Sequence, residues 1–189
     1  MNFEIIKKSI SSIVSLNDDE WHHLFDLIEA KTLKKNTYLL KELQVCKWVA
    51  FVNSGTLVYY KLMDSGKEVA TDFAFAGEWV TDNISRLNNM PSSINIKTLE
   101  DCEISVITSE NMEKCYKRIP KLERLGRILI EKAFVKTTQL SIDFQTLTAS
   151  QRYEKLLHNH PELFQKIPLY HIANYLGIAP KSLSRIRKG

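Results

Sequence analysis

The tightest constraint in the sequence lies near its C-terminal end, in the run Ala173-Asn174-Tyr175-Leu176-Gly177-Ile178-Ala179-Pro180-Lys181-Ser182-Leu183. Two helices that meet at a tight turn need small residues at defined places. Ala173 lets a second helix approach the first. Gly177, four residues later, takes at little cost the left-handed backbone that ends a helix. Pro180 suits the first turn of the next helix, where its missing N–H is not needed. Leu183 and Ile186, three apart, anchor that second helix on a core. Lys181, Ser182, Ser184 and Arg185 then point outward, with Arg187 and Lys188 behind them. Hydroxyls and cations near a helix start suit base edges in a major groove and the flanking phosphates. The segment reads as a DNA-facing helix-turn-helix. The competing reading is a helical hairpin with a basic surface.

Charge distribution favours the first reading. The net charge is +4. Residues 150–189 carry seven Lys and Arg against two acids, so the other 149 residues are close to neutral at −1. Positive charge gathered at one end is the electrostatic footprint of nucleic-acid binding.

Upstream the pattern changes twice. Residues 1–30 read as helical, with Asn17 to Glu20 supplying caps before Trp21, Leu24, Phe25 and Ile28. Residues 37–40, 48–52, 56–60, 69–75, 93–97 and 103–108 are short β-branched and aromatic runs. Asn53-Ser54-Gly55 and Asp64-Ser65-Gly66 are turn signals between them. Such runs predict a small antiparallel barrel or jelly roll. A short helix over 111–117 should end before Pro120. A long helix over 120–147 then carries Leu122, Leu125, Leu129, Ala133, Leu140, Phe144 and Leu147 at steps of three, four or seven. That stripe serves either burial within the monomer or dimerisation.

Several functions are disfavoured. Cys46, Cys102 and Cys115 lie far apart with no CxxC pair, which speaks against a zinc ribbon, a four-cysteine iron–sulfur site or a disulfide framework. A cupin-like metal enzyme needs histidines converging from strands, and residues 32–108 hold none. His22 and His23 lack metal-ligand spacing, and the His158-Asn159-His160 string sits at a helix end without the context of a metal finger. The expectation is a chain with no catalytic or metal residues and no cofactor. No apolar run reaches the ~18 residues a membrane span needs. Without an N-terminal signal-like apolar region, the chain reads as cytoplasmic.

The strings "LTASQRYEKLL", "HIANYLGIAPKSLSRIRK", "AFVNSGTLVYY", "GKEVATDFAFAGEWVTDN" and "LEDCEISVI" resemble the Crp/Fnr family of bacterial regulators over nearly the whole chain. The resemblance implies an α+β chain in three parts. Residues 1–118 form a cyclic-nucleotide-binding-like antiparallel β-roll, 119–147 a dimerisation helix, and 148–189 a winged helix-turn-helix. It implies a homodimer on double-stranded DNA, with RNA polymerase and a small-molecule effector as further partners. Lys181, Ser182 and Arg185 fall where the family contacts bases. Gly77 and Glu78 fall where it contacts ribose, and Thr137 and Thr138 where its helix touches the base of cyclic AMP. Two departures stand out. Nucleotide responders place an Arg followed by Ser or Thr where this chain has Ser92-Ser93, and an anionic phosphate loses its charge-assisted partner without that Arg. The usual grip on cyclic AMP is therefore not expected. Second, Gly189 follows directly on the second helix, so a wing is expected from strands near 163–167. The alternative function is a ligand-sensing or protein-docking β-roll without specific DNA binding.

Overall fold

In a computed structural model, described over residues 3–161 and 163–187, the β-branched runs become two antiparallel four-stranded sheets facing each other. The first has the order β1 (Glu29–Leu33), β8 (Cys102–Thr108), β3 (Trp48–Ser54), β6 (Trp79–Val80). The second has the order β2 (Tyr38–Leu40), β7 (Asn95–Thr98), β4 (Thr56–Leu62), β5 (Glu68–Phe75). Ala50, Val52, Leu57, Ala74, Ile96 and Ile104 fill the space between them, each at most 2% exposed. A short helix, α3 (Asn83–Asn88), lies between β6 and β7.

The helical N-terminal segment is divided. The helix α1 (Glu4–Ser11) stops before α2 (Asp18–Asp26), where Asn17 and Glu20 form a reciprocal capping box. Ile6 and Ile10 of α1 and Trp21 and Leu24 of α2 are buried against Phe51 and Ile107 of the first sheet. The helix α4 (Ser109–Arg118) joins that cluster through Cys115. The long helix α5 (Lys121–Thr146) follows; its 26 residues span about 39 Å.

The second sheet is covered on its outer face as well. The helices α6 (Ala149–Asn159), α7 (Leu163–Lys166), α8 (Leu169–Tyr175) and α9 (Pro180–Ile186) complete the described chain. Leu156, Leu163, Ile172, Leu176 and Leu183 pack on Val58, Tyr60, Phe73 and Phe75 in one cluster. This explains the unbroken apolar run Leu57-Val58-Tyr59-Tyr60 in β4. Leu57 faces the interior of the roll while Val58 and Tyr60 face the helices, so both faces of the strand are apolar. The Asn174 side-chain amide donates to the Glu68 carbonyl at 2.8 Å, and the Tyr175 and Phe73 rings lie 5.3 Å apart.

The strands expected for a wing near 163–167 are absent. That segment is the helical turn α7, closed by Ile167 N–H donating to the Leu163 carbonyl at 2.8 Å. Leu163 and Ile167 are buried in the core. Two apolar residues four apart share one face of a helix but not one edge of a strand, and Pro168 then ends the turn. Among the described residues no strand follows β8.

Candidate functional site

The turn between α8 and α9 is built as its residues dictate. Gly177 has φ +70°. Its N–H donates to the Asn174 carbonyl and that of Ile178 to the Ala173 carbonyl, both at 3.0 Å. This paired pattern is a Schellman ending, and a glycine at its left-handed position avoids the strain of a Cβ. Ala173 is fully buried under α9, and Pro180 occupies the first turn of α9. Leu183 is fully buried, which fixes the rotation of α9 about its axis. Lys181, Ser182, Ser184 and Arg185 are all exposed on the opposite side, and Arg187 is exposed just beyond. The Ser184 hydroxyl donates to the Pro180 carbonyl at 3.1 Å and so offers its lone pairs outward. Lys188 lies outside the described residues.

Arg152 of α6 holds this unit to the end of α5. It donates to the Leu147 carbonyl at 2.6 Å and to the Leu176 carbonyl at 3.0 Å, and its guanidinium lies 4.8 Å from the Phe144 ring centre. Phe144 in turn approaches Gly177, with its ring edge 3.4 Å from where a Cβ would sit. One cation thus ties together the ends of α5 and α8. Arg152 has no signature in the sequence, because a carbonyl-seeking Arg after a helix end carries no distinctive spacing.

The residues expected to line an effector pocket divide into two groups. Between the roll and α5 lies a cavity of about 720 Å³. Gly77, Glu78 and Thr137 line it. The Glu78 carboxylate already accepts from Phe75 N–H at 3.0 Å, and the Thr137 hydroxyl donates to the Ala133 carbonyl at 2.9 Å. Thr138 is exposed outside the cavity lining. Ser92 and Ser93 do not line it either. Ser92 is 2% exposed; its hydroxyl donates to Asp82 Oδ2 at 2.7 Å and accepts from Ile94 N–H at 3.1 Å. It belongs to the frame of α3. Asp82 caps that helix by accepting from the N–H groups of Ile84 and Ser85. Ser93 is exposed beyond this frame.

The apolar stripe of α5 also divides. Leu122 and Leu125 are buried on the roll, and Leu129 packs against the same cluster. Ile130, Phe134, Val135 and Ile142 are exposed, Phe134 at 72%. The stripe read from the sequence is therefore in its first half the inward face, and the face left open is a neighbouring one. Among the described residues no three His, Cys, Asp or Glu groups are placed to hold a metal, and no helix is long and apolar enough to cross a membrane.

Comparison with known proteins agrees with this architecture. The model of the cyclic nucleotide-binding domain family matches residues 30–119. The chain is 24% identical over 185 residues to the transcriptional activator protein Anr of Pseudomonas protegens, covering 92% of this chain and 75% of that one. Its fold is similar to that of FixK2 from Bradyrhizobium japonicum, with a TM-score of 0.73 at 15% identity over 85% of this chain and 83% of that one. It is similar also to the c-di-GMP responsive global regulator CLP of Xanthomonas campestris, with a TM-score of 0.70 at 15% identity over 91% and 90%. The protein is thus a two-ended molecule, a cyclic nucleotide-binding-type roll followed by a helix-turn-helix. In fold it is similar to a transcriptional regulator of the Crp/Fnr family from Eubacterium rectale, with a TM-score of 0.69 at 21% identity over 92% of this chain and 82% of that one.

Proposed function

We propose that the chain is a DNA-binding regulator that acts as a homodimer on a near-palindromic operator. In this reading residues 1–118 sense, 119–147 dimerise and 148–189 bind DNA. The observation that carries it is α9: one face fully buried through Leu183, the other offering Lys181, Ser182, Ser184 and Arg185 to solvent. The base-reading face of a recognition helix has this make-up, cations and hydroxyls on a rigidly seated helix. The activator role of the Pseudomonas relative supports the same reading. Dimerisation is supported by the open face of α5, where Ile130, Phe134 and Ile142 fall on one i, i+4 row. Two recognition helices would then enter successive major grooves about 34 Å apart.

The sensing half does not hold cyclic AMP in the family's usual manner. The burial of Ser92 against Asp82 and the lack of an Arg at that position support this.

Selection from a random duplex library tests the function. The expected product is a pair of inverted half-sites with centres about 10–10.5 base pairs apart. Recovery of no sequence above the input pool overturns specific DNA binding and leaves the roll as a sensing or docking module.

A further inference from the structure

The cavity between the roll and α5 is lined by both aliphatic and charged side chains. Its lining on α5 runs from Leu122 to Thr137, a span of about 22 Å at the rise of a helix. Much of the lining is aliphatic, including Ile6, Ile10, Leu24, Leu122 and Leu125 from α1, α2 and α5. The charged side chains of the lining are Arg86, Lys132 and Lys136 against Asp72 and Glu78. Both carboxylates are already engaged. Asp72 pairs with Lys136 at 2.7 Å and Glu78 accepts from the Phe75 backbone. Among the described residues Arg86 has no carboxylate partner. Its Nη2 donates to Asn83 Oδ1 at 3.0 Å, while its Nε is buried with no hydrogen-bond partner. A buried guanidinium N–H without an acceptor is costly.

The lining also contains Tyr116, whose hydroxyl has, among the described residues, the Met112 sulfur as its hydrogen-bond partner, at 4.0 Å. Gly126 makes room for it, since a Cβ there would lie 2.6 Å from that oxygen. The frame that aims Arg86 is rigid. The N-terminus of α3 is capped by Asp82, and Ser85 Oγ accepts from Cys46 N–H at 2.9 Å while donating to the Met90 carbonyl at 2.5 Å.

We infer that this cavity takes an amphipathic monoanion, an acid with an elongated aliphatic tail, with Arg86 as its carboxylate anchor. The head meets the Arg86 guanidinium, which has no carboxylate partner among the described residues; the tail lies along α5 against the aliphatic lining. The inference rests on reading the roll as the sensing half, and it does not depend on DNA binding.

Calorimetry with a series of straight-chain carboxylates, butanoate to decanoate, tests it on the full chain. Affinity should rise roughly three- to fourfold per added methylene, as apolar burial requires. Arg86→Gln should weaken decanoate about ten- to a hundredfold, the worth of a charge-assisted contact, without changing the chain-length slope. Ala133→Phe, a substitution on the cavity wall of α5, should abolish binding and serves as the second variant. No saturation by decanoate at 1 mM (an amount chosen as roughly typical of weak specific sites), a flat chain-length series, or equal affinity in wild type and Arg86→Gln overturns the inference. Specific DNA binding with no decanoate binding sinks the ligand alone; loss of both sinks the regulator reading as well.

Discussion

His171 offers a quantitative test of how the helix-turn-helix is seated on the roll. It lies in α8 and is 1% exposed, with its Nδ1 lacking a hydrogen-bond partner. Burial pushes its pKa down to about 4, and the Lys97 ammonium pushes in the same direction while Glu68 opposes. The charged groups about it come from both sheet strands beneath: Lys97 of β7 pairs with Glu68 of β5 at 2.8 Å, so the local field is nearly balanced and desolvation dominates. An ordinary histidine titrates near 6.5. The unfolded chain therefore takes up the proton first, and His171 contributes stability that is complete above pH 6.5 and declines as pH falls toward 4. From pH 6.5 to pH 5 the loss is about 2 kcal/mol, at about 1.36 kcal/mol per pH unit. For a chain of this length that corresponds to a fall in Tm of about 4–8 °C. Carboxylates titrate in part over the same range, so the informative quantity is the difference from His171→Leu. Thermal melts followed by circular dichroism from pH 7 to 5 should show wild type losing those degrees relative to the variant. Parallel pH profiles for the two proteins would refute the placement of a neutral histidine in this interface.

Four further substitutions test the packing. Gly177→Ala should cost about 1–2 kcal/mol by urea titration, because an L-residue is strained at φ +70° whatever space surrounds it; an unchanged midpoint would contradict the left-handed turn. Phe134→Asp should convert dimer to monomer in sedimentation with the melting temperature of the monomer fold retained, since Phe134 is 72% exposed. Leu129→Asp, by contrast, should lower stability outright, because Leu129 packs on the core of its own roll; loss of the dimer at full stability would reverse the assignment of the two faces. Asn17→Ala removes the capping box of α2 and should cost roughly 1 kcal/mol, read as a lower urea midpoint.

The parts of the molecule that follow from local chemistry were the parts legible in the sequence. Gly177, Pro180 and Leu183 act through their own backbone and their immediate neighbours, so their spacing defined the α8–α9 turn directly. Long-range relations were less accessible. Whether Leu129 or Phe134 faces the roll depends on how α5 crosses it, and both lie on apolar helical faces one step apart. The strand β1, Glu-Ala-Lys-Thr-Leu, has no alternation because it is an edge strand that pairs only with β8. Ser92 stands where the resemblance places a phosphate-holding Arg; its role as a partner of Asp82 depends on a contact across ten residues. Arg86, by contrast, is the sort of residue a sequence leaves unmarked, since only the fold turns it toward a cavity.

DNA reading by α9 is open to direct measurement. The most direct test is fluorescence anisotropy on a selected duplex with wild type and Arg185→Ala, each measured against random duplex across a salt series. The account predicts two chains per duplex, affinity that falls steeply with salt, and a loss of about 1–3 kcal/mol for Arg185→Ala on the selected site alone. Equal affinity of the wild type for selected and random duplex would contradict it.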